Sequence, residues 1–324
     1  MPHRIPKLAA AVRDKYDADI LLYVGPIARP KDDFLIDECV KKKRRKNVLL
    51  CISTYGGDAH AAYRIARTLQ RYYGKGHDHA KGDGKVYAFV NCVCWSAGTL
   101  LVMGADELIL SDHAELGPID VQLKKTEEVG EIVSGLTPIQ ALEYLQGQSR
   151  DMFVSLFNSM RFGGGFSTAA ASKIASDLAS GMLGKLYEQI DPLRVAEIYR
   201  FLNIAEHYGQ RIGRNLKPGA LQKLLYQYPA HNCVIDAGEA KTLFETVSEP
   251  TSELDELGVI LKQQTHAYLT GNDARVCYLE EDEVKTPTPT TNEKPKHKNG
   301  KTDPAEAKSS AATEPQAKAS VRGR

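Results

Sequence analysis

No apolar run in this chain approaches the ~20 residues that a bilayer span requires, so a helical membrane anchor is not expected. Charge of one sign is not in excess either. The formal net charge is +1, which leaves no overall field to draw the chain to nucleic acid or to a membrane surface. The start "MPHRIPKLAAAVRDKYDAD" is basic, but charges interrupt it within a few residues of "LAAAV", so it lacks the apolar segment of a secretory leader. Cysteine is sparse: Cys39, Cys51, Cys92, Cys94, Cys233 and Cys277 are spread over 324 residues. The C-x-C pair in "NCVCW" has no second pair at zinc spacing. No metal or other cofactor is expected, and the cysteines read as reduced thiols in a cytoplasmic protein. Aromatic residues vanish after about Lys285, where Pro, Thr, Lys, Ala and Ser dominate. Residues 285–324 therefore read as a disordered basic tail that solubilises the chain.

What is present is a regular alternation. "DADILLYVG" is an apolar run closed by Gly25 and Pro26, a strand. "PKDDFLIDECVKKKRRK" spaces Phe34, Leu35, Cys39 and Val40 as in a helix, and its basic run "KKKRRK" suits a solvated C-terminal turn. "NVLLCIST" has the continuous apolar character of a strand buried on both faces. Ala61, Ile65, Ala66 and Leu69 share one side of the next helix. "GKVYAFVNCVC", "SAGTLLVMGA" and "DELILSD" follow as strand, short helix and strand. This order, with short joints, predicts an α/β fold with a largely parallel sheet. Helices are expected from about Pro138 to Gln227, broken at "RFGGGFST".

Two strand-to-helix joints carry chemistry. At the first, Gly56 and Gly57 permit positive φ and leave N–H groups free to meet a developing oxyanion. At the second, "CWSAGT" places Ser96 at a helix start with the N–H of Ala97 beside it. Each has a plainer account: a glycine pair punctuates turns, and serine caps helices. Both joints face the carboxyl edge of a parallel sheet, however, where such sheets place their sites. Other motifs are plainer still. "GKGHDHAKGDG" reads as a mobile loop, and "FGGGFS" has no lysine to complete a phosphate cradle.

"ISTYGGDAHAAYRIA" followed by "CWSAGTLLVMGADELILSDHAELGPID" resembles the Clp-fold serine proteases, which include the Clp protease subunit and signal peptide peptidase A. The serine dehydrogenase proteinase branch is the nearest: its T-x-G-G-like turn, S-A-G-T turn and L-G-P-I-D-x-Q segment appear here in order. "YEQIDPLRVAEIYRFLNIAEHYGQRI" and "YPAHNCVIDAGEAKTLFETV" resemble that branch as well. The resemblance runs over residues 18–250, with residues 1–17 and 251–284 as extensions on either side. It implies a ClpP/crotonase-type fold of repeated ββα units, Ser96 as nucleophile, and Gly57 with Ala97 as oxyanion donors.

A serine nucleophile needs a group to take its proton. The Clp subunit's histidine has no counterpart in "LGPIDVQ", and the lysine of a peptidase A dyad has none at its spacing. Four residues stay open. His113 follows the strand after Ser96 but suits a surface turn. His231 in "YPAHNCVID" precedes a strand and suits a core histidine. Lys173 would need desolvation to serve as a base. Asp120 could orient a base or cap local backbone. The expected function is peptide-bond hydrolysis on a peptide or protein substrate, within a closed homo-oligomer that buries apolar faces such as "MLGKLYEQI" and "LRVAEIYRFLNIA". A Clp-fold scaffold without catalysis is the alternative. A crotonase-type acyl-CoA enzyme is disfavoured, because those enzymes use no serine at this turn.

Overall fold

The computed structural model describes residues 4–76, 80–119, 122–124, 132–134 and 136–279. Helix α1 (Arg4–Tyr16) leads into β1 (Ala18–Val24). Helices and strands then alternate through α2 (Lys31–Lys42), β2 (Asn47–Thr54), α3 (Ala59–Tyr72), β3 (Val86–Cys94), α4 (Ala97–Val102) and β4 (Glu107–Leu110). Short β5 (Glu115–Leu116) precedes a two-stranded hairpin, β6 (Gln122–Lys124) and β7 (Ile132–Ser134). Helices α5 (Leu136–Asn158), α6 (Thr168–Tyr187), α7 (Pro192–Ile212), α8 (Ala220–Gln222) and α9 (Ala237–Leu243) follow. The last elements are β8 (Val247–Ser248), α10 (Ser252–Leu269) and β9 (Arg275–Tyr278).

The main sheet has seven strands in the order β8-β4-β3-β2-β1-β9, with β5 beside the far end of β3. All pairings are parallel except that of β9 with β1. The apolar runs behave as a doubly covered sheet requires. In β1, Leu21 and Tyr23 join the core shared with α2, α3, α4 and α7, whereas Ile20, Leu22 and Val24 join the core shared with α1 and α10. Each such fully buried aliphatic side chain contributes roughly 1.5–3 kcal/mol relative to exposure. Helices α1 and α10, outside the stretch that carries the family resemblance, thus cover the second face of the same sheet, and β9 adds an edge strand to it.

Two local expectations change. In α2, Leu35 and Cys39 are fully buried, but Phe34 and Val40 are exposed, and it is Asp32 that is enclosed. Arg64 of α3 explains the reversal by pairing with that carboxylate. Only the start of the basic run, Lys41 and Lys42, forms the last turn of the helix. Helix α2 stops at Lys42, and the backbone N–H groups of Arg44 and Arg45 donate to Asp19 Oδ2 at 2.9 and 3.1 Å. Buried Asp19 at the start of β1 needs donors, and this segment supplies them. The break between α5 and α6 is a π turn over Ser159–Gly163, continued by Gly165 at φ 70°. Asp120, His77, Asp78, His79 and the tail from 280 lie outside the described residues.

Candidate active site

The site is assembled by a register shift. β2 and β3 pair regularly to Ile52 and Val90, after which Thr54 stands opposite Cys94. β3 thereby gains extra residues, and both strands end level, so the turns that follow face each other. Trp95 N–H then donates to Thr54 O at 3.0 Å.

In the first turn, Gly56 has φ 107° and Gly57 φ 141°, backbone that suits glycine. Gly56 N–H donates to Thr54 Oγ1 at 2.9 Å, so it is engaged and is not an oxyanion donor. Ile27, from the loop after β1, brackets Gly57: its N–H donates to Gly56 O at 2.8 Å, and its carbonyl accepts from Asp58 N–H at 2.7 Å. In the parallel bridge between Ile27 and Gly57, the Gly57 N–H points away from Ile27. Asp58 then caps α3 by accepting from His60 N–H.

In the second turn, Ser96 has φ 53° and ψ −114°. Helix caps sit in the β region with the side chain on an N–H two or three residues on. Ser96 makes no such bond, and the Gly98 N–H donates instead to Trp95 O at 2.8 Å. The capping account of this serine does not hold. Ala97 is buried, and neither its N–H nor that of Gly57 has an acceptor among the described residues. Gly98 is required by space: a β-carbon there would come within 2.5 Å of Thr54 Cγ2. The Thr99 hydroxyl reaches Cys94 O at 2.9 Å and Gly117 O at 2.7 Å, tying α4 to the "LGPI" segment. Burial pushes the Cys94 thiol well above its ordinary range. Cys51 is raised to about 12, and Cys39 to about 11, both mainly by burial.

The proposed bases separate. His231 is buried and meets the Trp95 indole edge-on, ring centroids 6.3 Å apart, next to Ser96 in sequence. Its loop is held by Leu116, which exchanges two backbone hydrogen bonds with Ile235. Glu239 adds to this, taking Lys223 Nζ at 2.8 Å and the Tyr228 hydroxyl at 2.7 Å. His113 is exposed in the turn between β4 and β5, closed by Ala114 N–H to Ser111 O. Lys173 is exposed on α6 and paired with Asp177 at 2.9 Å. Helix α6 packs on α5, and a groove of about 350 Å³ lies between them, lined by Phe153, Leu183 and Tyr187 among others. Sequence reasoning missed Ile27 and Thr54, which orient the glycine turn; neither belongs to a residue type that signals chemistry.

All six cysteines are free. Among the described residues no group of acidic, histidine and cysteine side chains is arranged to hold a metal, and no helix is long and apolar enough to cross a membrane. No protein-family model and no curated sequence matches this chain. Among solved structures, the chain is similar to a membrane-bound stomatin-specific protease (1510-N, in a mutant form), at a TM-score of 0.28 and 15% identity. That match covers 47% of this chain and 66% of the other, just under two thirds of its length. At that level it bears on neither the topology nor the chemistry of this chain.

Proposed function

We propose that this chain is a serine hydrolase of ClpP/crotonase-type fold, related to the serine dehydrogenase proteinase branch, and that it cleaves peptide bonds through an acyl-enzyme on Ser96. The observation that carries the reading is the backbone of Ser96, held at positive φ with no capping bond, at a strand-to-helix turn. A strained turn of this kind lifts a nucleophile out of the secondary structure around it. Ser96 Oγ attacks the substrate carbonyl carbon and its proton passes to a base. The carbonyl oxygen becomes an oxyanion between the N–H groups of Gly57 and Ala97. The base returns the proton to the leaving amine, and water then hydrolyses the acyl-serine. His231 is the described base candidate whose ring packs on the residue preceding Ser96.

The test is covalent. A fluorophosphonate probe should add one adduct to the folded protein, at Ser96, and Ser96→Ala should abolish it. No adduct, or an adduct that survives in the alanine variant, overturns the hydrolase reading in favour of a scaffold.

A further inference from the structure

We propose that the pair formed by Asp32 and Arg64 is a positioning element for the acyl-transfer site, acting through Ile27 on the Gly57 N–H. The proposal rests on the hydrolase reading for its catalytic consequence, but its structural half stands apart from it.

The chain of contacts is short. Gly57 is oriented by Ile27, whose N–H and carbonyl grip the peptide groups on either side of it. The fit is close: a β-carbon on Gly57 would come within 2.1 Å of Ile27 O. Ile27 lies in a loop, not in a strand. That loop is fixed at its start by Gly25 N–H to Ser53 O, 3.0 Å, and at its end by the first turn of α2. Asp32 in that turn is fully buried. Its Oδ2 takes the Arg64 guanidinium and lies 3.7 Å from Nε of Arg29, in the same loop as Ile27, while Arg64 also donates to Asp33 Oδ1 at 2.6 Å. Arg64 belongs to α3, the helix that begins just after Gly57. One guanidinium therefore ties the first turn of α2 to the first turns of α3, on either side of the turn that presents Gly57.

Stability alone is a poor account of this arrangement. Asp32 Oδ1 is buried without a hydrogen-bond partner, and a half-satisfied buried carboxylate is costly to keep. Ion pairs of this sort are often no more stable than apolar packing, and the best-attested gain from them is a unique conformation. Here the conformation gained is that of the loop holding Ile27.

The experiment uses Arg64→Met, which keeps the aliphatic stem, Asp32→Asn, which keeps the shape, and Arg64→Lys, which keeps the charge but not the fork. Hydrogen exchange is followed in peptides spanning 22–33 and 53–62, with 247–262 as a remote control. The expected result is faster exchange in the first two segments and not in the control for Met and Asn, with partial restoration for Lys. The rate constant of fluorophosphonate addition to Ser96 should fall about tenfold to a hundredfold in the same variants, in that order, as for an impaired oxyanion donor. Unchanged exchange in 22–33 and 53–62, or a rise shared by the control, overturns the proposal. So does a wild-type addition rate in Arg64→Met. If the wild type itself takes no probe, the hydrolase reading fails, and the exchange measurement still decides whether this pair holds the Gly57 turn.

Discussion

A β-carbon placed on Gly56 would stand 2.9 Å from Cβ of Ser96 and 3.0 Å from Trp95 O. The first turn is therefore shaped to the second: the missing side chain is the space in which Ser96 sits. Gly56→Ala meets both this contact and a φ of 107°. It should destabilise the protein by roughly 1–3 kcal/mol in urea unfolding, and should displace Ser96 enough to slow probe addition. An alanine variant with wild-type stability and wild-type labelling would count against this packing.

Ser96 itself carries strain that a glycine would not feel. Ser96→Gly should raise stability by about 1 kcal/mol relative to Ser96→Ala, with both variants unreactive. Chemical denaturation of the two variants side by side decides. Equal stability would mean that the positive φ at Ser96 stores nothing.

The candidate bases lie in different surroundings, and their variants should divide accordingly. His231→Ala should slow probe addition by about 100-fold or more, while His113→Ala and Lys173→Ala, both at exposed side chains, should stay within about twofold of wild type. A loss confined to His113→Ala or Lys173→Ala would reassign the proton acceptor. Full activity in all three would move attention to Asp120.

Glu239 anchors the segment that bears His231. Hydrogen bonds from Lys223 and then Tyr228 hold its carboxyl below the usual carboxylate range. For a carboxylate depressed by folding, the contribution is whole above the unfolded value of about 4.3 and is lost as pH falls through the lower folded value. Glu239→Gln should therefore be less stable than wild type at pH 7, with the difference closing as pH drops below about 4. A gap that persists unchanged in acid would assign the effect to packing instead of charge.

Thiol reactivity should split the cysteines into two groups of three. Cys39, Cys51 and Cys94 are buried, whereas Cys92, Cys233 and Cys277 are partly exposed. With burial holding Cys39 at about 11 and Cys51 at about 12, a disulfide-exchange reagent at pH 8 should count three thiols in the folded protein and six after denaturation. Six fast thiols in the folded state would contradict the burial of Cys94 beneath the Ser96 turn.

Strands β1 to β4 were legible because their apolar runs are continuous, as a sheet covered on both faces demands. The two turns were legible because Gly-Gly and Ser-Ala-Gly recur at one edge of such a sheet. Other features were hidden for physical reasons. β9 is four residues long, and "RVCY" is no more apolar than many loops. Asp32 reads as a solvated helix start until Arg64, 32 residues away, is seen beside it. Ile27 acts through its backbone, which no side-chain pattern reveals. Apart from the family resemblance, the residues alone did not separate Gly56 from Gly57; the fold does, because Thr54 already holds the Gly56 N–H.

The second face of the sheet has an uneven origin in time. Leu49, Cys51, Phe89 and Ile109 are covered by α1, the first described helix to leave the ribosome, and by α10, one of the last. During synthesis the turn that bears Ser96 is made long before its sheet is closed. The nascent chain carries an open apolar face past residue 250, a surface that chaperones bind and that sticky neighbours find. Whatever Ser96 does, the sheet behind it is complete only once β8, α10 and β9 have been made.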